Sequence, residues 1–211
     1  MSAPLNRMDK RLNDVCVMVF ARAPVPGQCK TRLIAALGAP GAAELHEKLV
    51  RRALAAACQA LPAAVELWCA PDGTHPFFAA CARDFPLALQ RQGEGDLGAR
   101  MQRAMEHALR AHARAIIIGS DSPELDSAYL LGAAAALECA PAVFGPAADG
   151  GYYLVGLRRP VDGLFEGLSW STETVYQQQV GRARQLGLRT AATPPWFEVD
   201  TIQDLRALRD R

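Results

Sequence analysis

The stretch Ala115-Ile116-Ile117-Ile118-Gly119-Ser120-Asp121-Ser122-Pro123-Glu124-Leu125 changes abruptly from a branched apolar run to a carboxylate followed by proline. A continuous isoleucine run is typical of a strand covered on both faces in a parallel sheet, and ligands bind beyond the carboxyl ends of such strands. The pattern therefore predicts a buried strand with Asp121 at a ligand-binding rim. A carboxylate there suits a divalent cation that also contacts phosphate oxygens. The alternative is that Asp121 only starts a turn before Pro123.

Composition predicts one α/β domain spanning residues 1–211, with an ordered core from about residue 15 to residue 208. No long polar linker divides the 211 residues, and 50% of them are hydrophobic and 21% charged, which supplies a substantial core. The formal net charge of +1 provides no general attraction to nucleic acid or to an anionic membrane. Any anion binding must therefore be local, which favours a small-molecule site without nucleic acid.

Cysteine spacing and hydropathy indicate a cytoplasmic protein. The six cysteines are scattered, without the close pairing of a zinc or redox motif. The first residues lack the apolar segment of a signal peptide, and no later run is long enough to span a membrane. A homodimer is the default expectation for the oligomeric state.

A basic loop follows the first predicted strand, residues 15–20. Two prolines and a glycine shape the segment 21–33, which carries Arg22, Lys30 and Arg32. A strand, a turn, basic side chains and a helix start are suited to holding phosphate through backbone N–H groups and fixed positive charge. The glycine spacings of the Walker and dinucleotide-binding loops are absent. A solvated basic loop is the alternative.

A glycine-rich loop from Gln90 to Gly98 separates a short predicted strand (87–90) from a helix predicted over residues 99–112. Its glycines allow close approach of backbone to a ligand, and glutamine or backbone amides can read the edge of a base. Asp96 is equally suited to capping the helix.

Two further aspartates follow predicted elements in the second half of the chain. Asp149 precedes two glycines after a strand predicted over residues 142–146, so it is either part of a hairpin turn or a base facing a substrate. A helix is predicted from Ser171 or Thr172 to Leu186. Beyond it, Thr201 and Asp204 resemble a capping box, which leaves Asp200 either as a second metal carboxylate or as a turn residue.

Five segments together resemble one family. They are FARAPVPGQCKTRL (residues 20–33), GDLGARM (95–101), GSDSPEL (119–125), DGGYYLVG (149–156) and DTIQDL (200–205). This order is similar to the DUF2064 family, also called the radical-SAM/selenodomain-associated transferase 1 group. That group is similar to the GT-A glycosyltransferases and to nucleotidyltransferases of the same fold, and some members are described as arsenosugar-biosynthesis glycosyltransferases. The resemblance extends from about residue 15 to residue 208.

The resemblance implies an α/β, Rossmann-like nucleotide-diphospho-sugar transferase (GT-A) fold, with a mostly parallel central sheet flanked by helices. It also implies a site for nucleotide, metal and acceptor. The implied nucleotide-binding residues are Ala21, Arg22, Gly27, Lys30, Arg32, Gln90, Gly95, Asp96 and Gly98. Asp121 and Asp200 would hold Mg2+ or Mn2+, Asp149 would be the catalytic base, and Gly150, Gly151 and Tyr152 would border the acceptor. The chain departs from the usual Asp-x-Asp pattern because position 123 is proline.

Three functions are compatible with these features. The first is a metal-dependent glycosyltransferase that transfers a sugar from a nucleotide-diphospho-sugar to a small-molecule acceptor. The second is a nucleotidyltransferase that couples an NTP to a phosphorylated substrate and releases pyrophosphate, although the Gly-Gly-rich start of many such enzymes is absent. The third is a non-catalytic nucleotide-binding protein. Donor base, sugar and acceptor stay open.

Overall fold

One seven-stranded sheet forms the centre of the protein, for which the computed structural model describes residues 14–61 and 64–209. The strands are β1 (Val15–Arg22), β2 (Val65–Ala70), β3 (Ala88–Arg91), β4 (Arg114–Ile118), β5 (Ala142–Pro146), β6 (Tyr152–Leu157) and β7 (Thr190–Ala192). Their order is β3-β2-β1-β4-β6-β5-β7, and β6 runs antiparallel to both of its neighbours while the other pairs are parallel. The predicted fold class, an α/β protein with a mostly parallel sheet, is confirmed.

The sheet is covered on both faces, as the isoleucine run predicted. Successive residues of β1 point to opposite faces, so Val15, Val17 and Val19 pack in one apolar cluster and Cys16 and Met18 in the other. Ile116 and Ile118 of β4 are fully buried, and burial of each such side chain contributes about 1.5–3 kcal/mol. β1 and β4 are neighbours in parallel register, with Val19 opposite Ile118. Their carboxyl ends therefore meet at one edge of the sheet.

Six α-helices flank the sheet within the described residues. They are α1 (Ile34–Ala60), α2 (Pro76–Asp84), α3 (Leu97–Leu109), α4 (Ser127–Cys139), α5 (Val175–Gln185) and α6 (Ile202–Arg209). α1 and α4 contribute residues such as Leu54 and Leu130 to one apolar cluster, and α3 contributes Met105 to the other.

Several element boundaries differ from the sequence-based expectations. α1 begins seven residues before the predicted Gly41, because the chain bends at Gly38 (φ 72°) and Pro40 and then continues as helix. α5 begins at Val175 because Ser171 has a φ of 62°, which a helix interior does not accommodate. The strand β7 was not predicted, since its three residues carry no apolar run and pair only with the distant β5.

Two further expectations concern membrane spans and cysteines. Within the described residues, no helix is long and apolar enough to cross a membrane. All six cysteines lie in the described part of the chain as unpaired thiols, four of them buried. Residues 1–13, which the predicted domain includes, lie outside the described residues.

Candidate functional site

A large cleft lies at the edge of the sheet where β1 and β4 end. Its volume is about 1510 Å3, which is above the usual range of small-molecule pockets, about 300–1,000 Å3. Of the sequence-predicted residues, those that line it are Ala21, Arg22, Lys30, Arg32, Asp121, Asp149, Gly150, Gly151, Tyr152 and Asp200. The cleft therefore brings together the predicted phosphate, metal and acceptor segments from separate parts of the chain.

Lys30 lies between the two predicted metal carboxylates. Its Nζ is 2.8 Å from Asp121 Oδ1 and 2.7 Å from Asp200 Oδ1, and it also donates to the Val199 carbonyl oxygen at 2.7 Å. The lysine side chain is only 3% exposed, against 35% for Asp121 and 41% for Asp200. Burial alone would lower the pKa of the Lys30 ammonium, but the two carboxylates outweigh burial and raise it. The ammonium is therefore charged and is held by the two aspartates at the wall of the cleft.

The backbone at Lys30 directs this side chain inward. Lys30 has φ 47° and ψ 43°, a left-handed conformation that costs a non-glycine residue on the order of 1 kcal/mol. It precedes a short 3-10 turn, Thr31–Leu33, whose Leu33 is fully buried. Leu33 anchors the turn in a small apolar cluster with Val199, and this contact joins the basic loop to the segment that carries Asp200.

Asp200 reaches Asp121 through a strand-like crossing segment, residues 196–200. Trp196 N donates to the Pro146 carbonyl oxygen at 2.9 Å, and Val199 N donates to the Asp121 carbonyl oxygen at 2.9 Å. The predicted capping box is confirmed, because Asp204 Oδ2 accepts from Thr201 N at 2.7 Å and from Asp200 N at 3.0 Å. Asp204 thus has a structural task, and the Asp200 side chain is left to face Lys30.

Glu198, which sequence analysis missed, lies in the same crossing segment and faces the carboxylates. The Cβ position of Gly119 would lie 3.5 Å from Glu198 Oε1, so the side chain packs against the end of β4. Burial first, and then repulsion from Asp121, Asp149 and Asp200, raise the pKa of Glu198 to about 8. Two residues apart in an extended segment, Glu198 and Asp200 project to the same side, and that alternation was the available sequence signal.

His46 is a second missed residue of the cleft. It lies on the buried face of α1, is 5% exposed, and its Nε2 is 2.9 Å from the Arg22 carbonyl oxygen. Burial lowers the pKa of His46, so the ring is neutral at pH 7. Its Nδ1 is 4.0 Å from Asp121 Oδ1. The sequence signal was its spacing from the buried Ala42, Ala43, Leu49 and Val50, which places it on the same helical face.

The hairpin between β5 and β6 forms the opposite wall. Asp149 is exposed at its tip, and Asp149 Oδ1 accepts from Gly151 N at 2.9 Å. Gly150 has φ +86°, and a Cβ there would overlap the Glu173 carbonyl oxygen, so only glycine fits. The Tyr152 hydroxyl donates to Gln179 Oε1 at 3.1 Å. The predicted hairpin is confirmed, and its carboxylate remains accessible to a ligand.

Arg22 and Arg32 are the exposed cations of the basic loop. Within the described residues, neither guanidinium forms a hydrogen bond or an ion pair with a carboxylate, and Arg100 of α3 adds a third arginine to the lining. Gly27 lies outside the cleft lining. Its φ of +85° allows the turn of the loop, in which Gln28 N donates to the Val25 carbonyl oxygen. Unpaired arginines in a cleft are suited to binding phosphate.

The predicted base-recognition loop, residues 90–98, contributes Gln92 and Leu97 to the cleft lining. Gln90, Gly95, Asp96 and Gly98 lie outside the cleft lining. Asp96 caps α3 by accepting from Ala99 N at 2.8 Å, and Gly98 lets that helix approach the Phe165 carbonyl oxygen, where a Cβ would lie too close for any other residue. β3 extends one residue beyond its predicted end, to Arg91, and Gln92 follows it directly.

Carboxylates are the side chains of the cleft that suit the predicted Mg2+ or Mn2+. Carboxylate oxygens suit both ions, and such sites are usually completed by water and phosphate. The Oδ1 atoms of Asp121 and Asp200 converge on one cationic atom, Lys30 Nζ, so the pair fits a cation at this place if the ammonium moves aside. Among the described residues, no group of three or more histidine, cysteine, aspartate or glutamate side chains is preassembled for a metal.

Comparison with solved structures places the fold among known transferases. A protein from Desulfovibrio desulfuricans G20, described as a candidate nucleotide-diphospho-sugar transferase, is 32% identical with a TM-score of 0.84, over 92% of this chain and 86% of that one. CMP:2-keto-3-deoxy-manno-octonic acid synthetase in complex with CTP has 14% identity and a TM-score of 0.59, over 93% and 97%. The 2-C-methyl-D-erythritol 4-phosphate cytidylyltransferase of Thermus thermophilus has 17% identity and a TM-score of 0.54, over 93% of this chain and 98% of that one. The last two support the fold alone.

The chain thus has a fold shared by nucleotidyl and nucleotide-sugar transferases. The sequence profile of DUF2064, described as an uncharacterized protein conserved in bacteria, matches residues 53–172. The chain belongs to the DUF2064 family, as its motif order predicted. A comparison with curated proteins gave no match.

Proposed function

We propose that this protein is a divalent-cation-dependent glycosyltransferase that transfers a sugar from a nucleotide-diphospho-sugar to a small-molecule acceptor. The observation that carries the proposal is the convergence of Asp121 and Asp200 on one cation position, in a cleft that also exposes Arg22 and Arg32. A 32% identical relative described as a candidate nucleotide-diphospho-sugar transferase supports the same class of reaction.

In this proposal, the donor diphosphate lies between the basic loop and the aspartates. Arg22 and Arg32 supply fixed positive charge to the phosphate oxygens, which is worth more in a cleft than in bulk water. Mg2+ or Mn2+ at Asp121 and Asp200 would neutralise the charge that develops on the leaving diphosphate. Lys30, once separated from the two carboxylates, adds a further cation to the same region.

Asp149 is the proposed base for the acceptor. It is exposed at the tip of the β5–β6 hairpin, its orientation is fixed by the hydrogen bond from Gly151 N, and Gly150, Gly151 and Tyr152 lie beside it in the lining. A carboxylate placed at the acceptor side can remove the proton of an attacking hydroxyl as the bond to the sugar forms.

The decisive experiment measures thermal stabilisation by UDP-, GDP-, CDP- and dTDP-sugars and by NTPs, each with Mn2+, with Mg2+ and with EDTA. We expect one family of nucleotide-sugars to raise the melting temperature only with a metal, because a ligand that binds the native state stabilises it. The shift should vanish in Asp121→Ala. A shift with NTPs and release of pyrophosphate would instead support a nucleotidyltransferase, and metal-dependent binding without turnover would support a non-catalytic protein.

Asp149→Asn is expected to lower the transfer rate at least about 100-fold while nucleotide-sugar binding is unchanged, since general-base catalysis contributes about 10²–10⁴. The measurement is the release of nucleoside diphosphate in the presence of acceptor, alongside the thermal shift by donor. Asp162→Asn, a change in the loop after β6 and outside the cleft lining, serves as the control. Full transfer by Asp149→Asn would remove Asp149 from the role of base and leave the donor site unaffected.

A further inference from the structure

The buried imidazole of His46 is a polar group of the cleft that the proposed function does not use. His46 projects from α1 toward the end of β4 and contributes to the cleft lining. It is 5% exposed, so the ring is almost entirely removed from bulk water. The two ring nitrogens of histidine are distinct, because the hydrogen-bond partner of one determines whether the other carries a proton or a lone pair.

The hydrogen bond at Nε2 defines the tautomer. The partner of Nε2 is the carbonyl oxygen of Arg22, at 2.9 Å, and a carbonyl oxygen can only accept. Nε2 therefore carries the proton and donates it. In the neutral ring, Nδ1 then has a lone pair and no proton, and this buried atom has no hydrogen-bond partner within the described part of the chain.

The atom that faces this lone pair is itself an acceptor. Asp121 Oδ1 lies 4.0 Å from His46 Nδ1, and the lone pair and the carboxylate oxygen have no proton to share between them. Leaving a buried acceptor unsatisfied costs about 1–3 kcal/mol, so a hydrogen-bond donor or a cation shared by the two atoms would be favourable. Two ligands of one first-row cation, each bound at about 2.1 Å, are at most about 4.2 Å apart. The 4.0 Å between His46 Nδ1 and Asp121 Oδ1 lies within that limit, close to the separation of two ligands on opposite sides of the ion.

We infer that His46 Nδ1 is a nitrogen ligand of the divalent cation at Asp121, which makes the site selective for a first-row transition ion such as Mn2+ over Mg2+. This inference rests on the proposed function, which places a cation at Asp121. The selectivity follows because imidazole nitrogen binds transition ions well, whereas Mg2+ prefers oxygen ligands alone. In the cation-free protein, Lys30 Nζ supplies the positive charge at Asp121 Oδ1, at 2.8 Å.

The test combines Mn2+ electron paramagnetic resonance with binding measurements on the full-length protein after treatment with EDTA. Protein containing 15N-histidine is loaded with Mn2+, alone and with the nucleoside diphosphate that stabilises it, and the spin-echo spectrum is examined for nitrogen coupling. Dissociation constants for Mn2+ and Mg2+ are measured in the wild type, His46→Gln, His112→Gln and Asp121→Asn. The glutamine amide preserves a donor for the Arg22 carbonyl oxygen and removes the ligand nitrogen. His112 lies outside the cleft lining and is the matched control.

We expect histidine nitrogen coupling in the wild type and in His112→Gln, and none in His46→Gln. His46→Gln should weaken Mn2+ binding at least about tenfold, as expected when a partner of a metal site is lost, and Mg2+ binding less than about threefold. If the wild type binds Mn2+ with no nitrogen coupling, while Asp121→Asn still abolishes binding, His46 is not a ligand and the proposed function stands. If the wild type binds neither ion under either condition, the inference and the cation requirement of the proposed function both fail.

Discussion

Lys30→Met is expected to lower the free energy of unfolding by about 2 kcal/mol and to increase the affinity for a divalent cation. Breaking a buried ion pair by removing one partner costs about 3–5 kcal/mol, and a smaller cost applies here because Asp121 and Asp200 are 35% and 41% exposed. Methionine preserves the apolar length of the side chain but leaves two carboxylates with no counter-charge beside Glu198. Urea denaturation in EDTA measures the loss.

Adding Mn2+ to Lys30→Met tests whether the lysine and the cation share one position. We expect Mn2+ to restore more stability to the variant than to the wild type, because the ion replaces the missing charge without displacing an ammonium. Lys48→Met is the control, since Lys48 pairs with Glu44 on an exposed part of α1 and exposed pairs contribute about 0–1 kcal/mol. Equal responses of Lys30→Met and the wild type to Mn2+ would contradict a shared position.

The sheet and its ligand-binding edge were predictable because they depend on local pattern. The isoleucines of β4 and the β-branched run of β1 are each buried on both faces, so composition alone indicates parallel strands. The rule that ligands bind at the carboxyl ends of strands then places Asp121 and Arg22 at one edge, and the structure has them there. β6, by contrast, runs antiparallel, and only the Asp149-Gly-Gly hairpin indicates that reversal in the sequence.

The contacts between distant segments were not predictable. Lys30 was expected to face phosphate because the sequence shows a basic loop, but no local pattern shows that residues 196–200 cross beside it and bring Asp200 to 2.7 Å. The hydrogen bond of His46 could not be predicted either, since its partner is the Arg22 carbonyl oxygen, 24 residues earlier in the chain. Helical periodicity places His46 on the buried face of α1, yet it does not identify the residues that pack against that face. The sequence therefore shows separate carboxylates and cations, while their pairing requires the folded chain.

Glu198→Gln is expected to stabilise the metal-free protein at pH 8.5 and to have little effect at pH 5. In the native state the pKa of Glu198 is raised to about 8 by burial and by the neighbouring Asp121, Asp149 and Asp200, from an ordinary value of 4.5. The native state therefore keeps a proton that the unfolded state has lost. Stability associated with this group is fully present below about pH 4.5 and decreases as the pH rises through about 8.

The expected gain in stability follows from the interval between the ordinary pKa of 4.5 and the native pKa of about 8. One pKa unit corresponds to about 1.4 kcal/mol, and for a half-buried carboxyl near other charges we expect a total on the order of 2–4 kcal/mol. Glutamine retains the shape and carries no charge at any pH, so its advantage over glutamate should grow between pH 5 and pH 8.5. The measurement is the difference in melting temperature between variant and wild type across this range, in EDTA.

Glu44→Gln provides a control at a carboxyl group whose pKa is shifted in the opposite direction, downward instead of upward. Hydrogen bonding and attraction from Lys48 lower the pKa of Glu44, so this group loses no stability as the pH rises from 5 to 8.5 and the advantage of glutamine should not grow across that range. A flat difference for Glu198→Gln as well would mean that Glu198 is already ionised at pH 5. The charge of Glu198 would then be held beside three aspartates, with Lys30 and the arginines of the cleft lining to offset it.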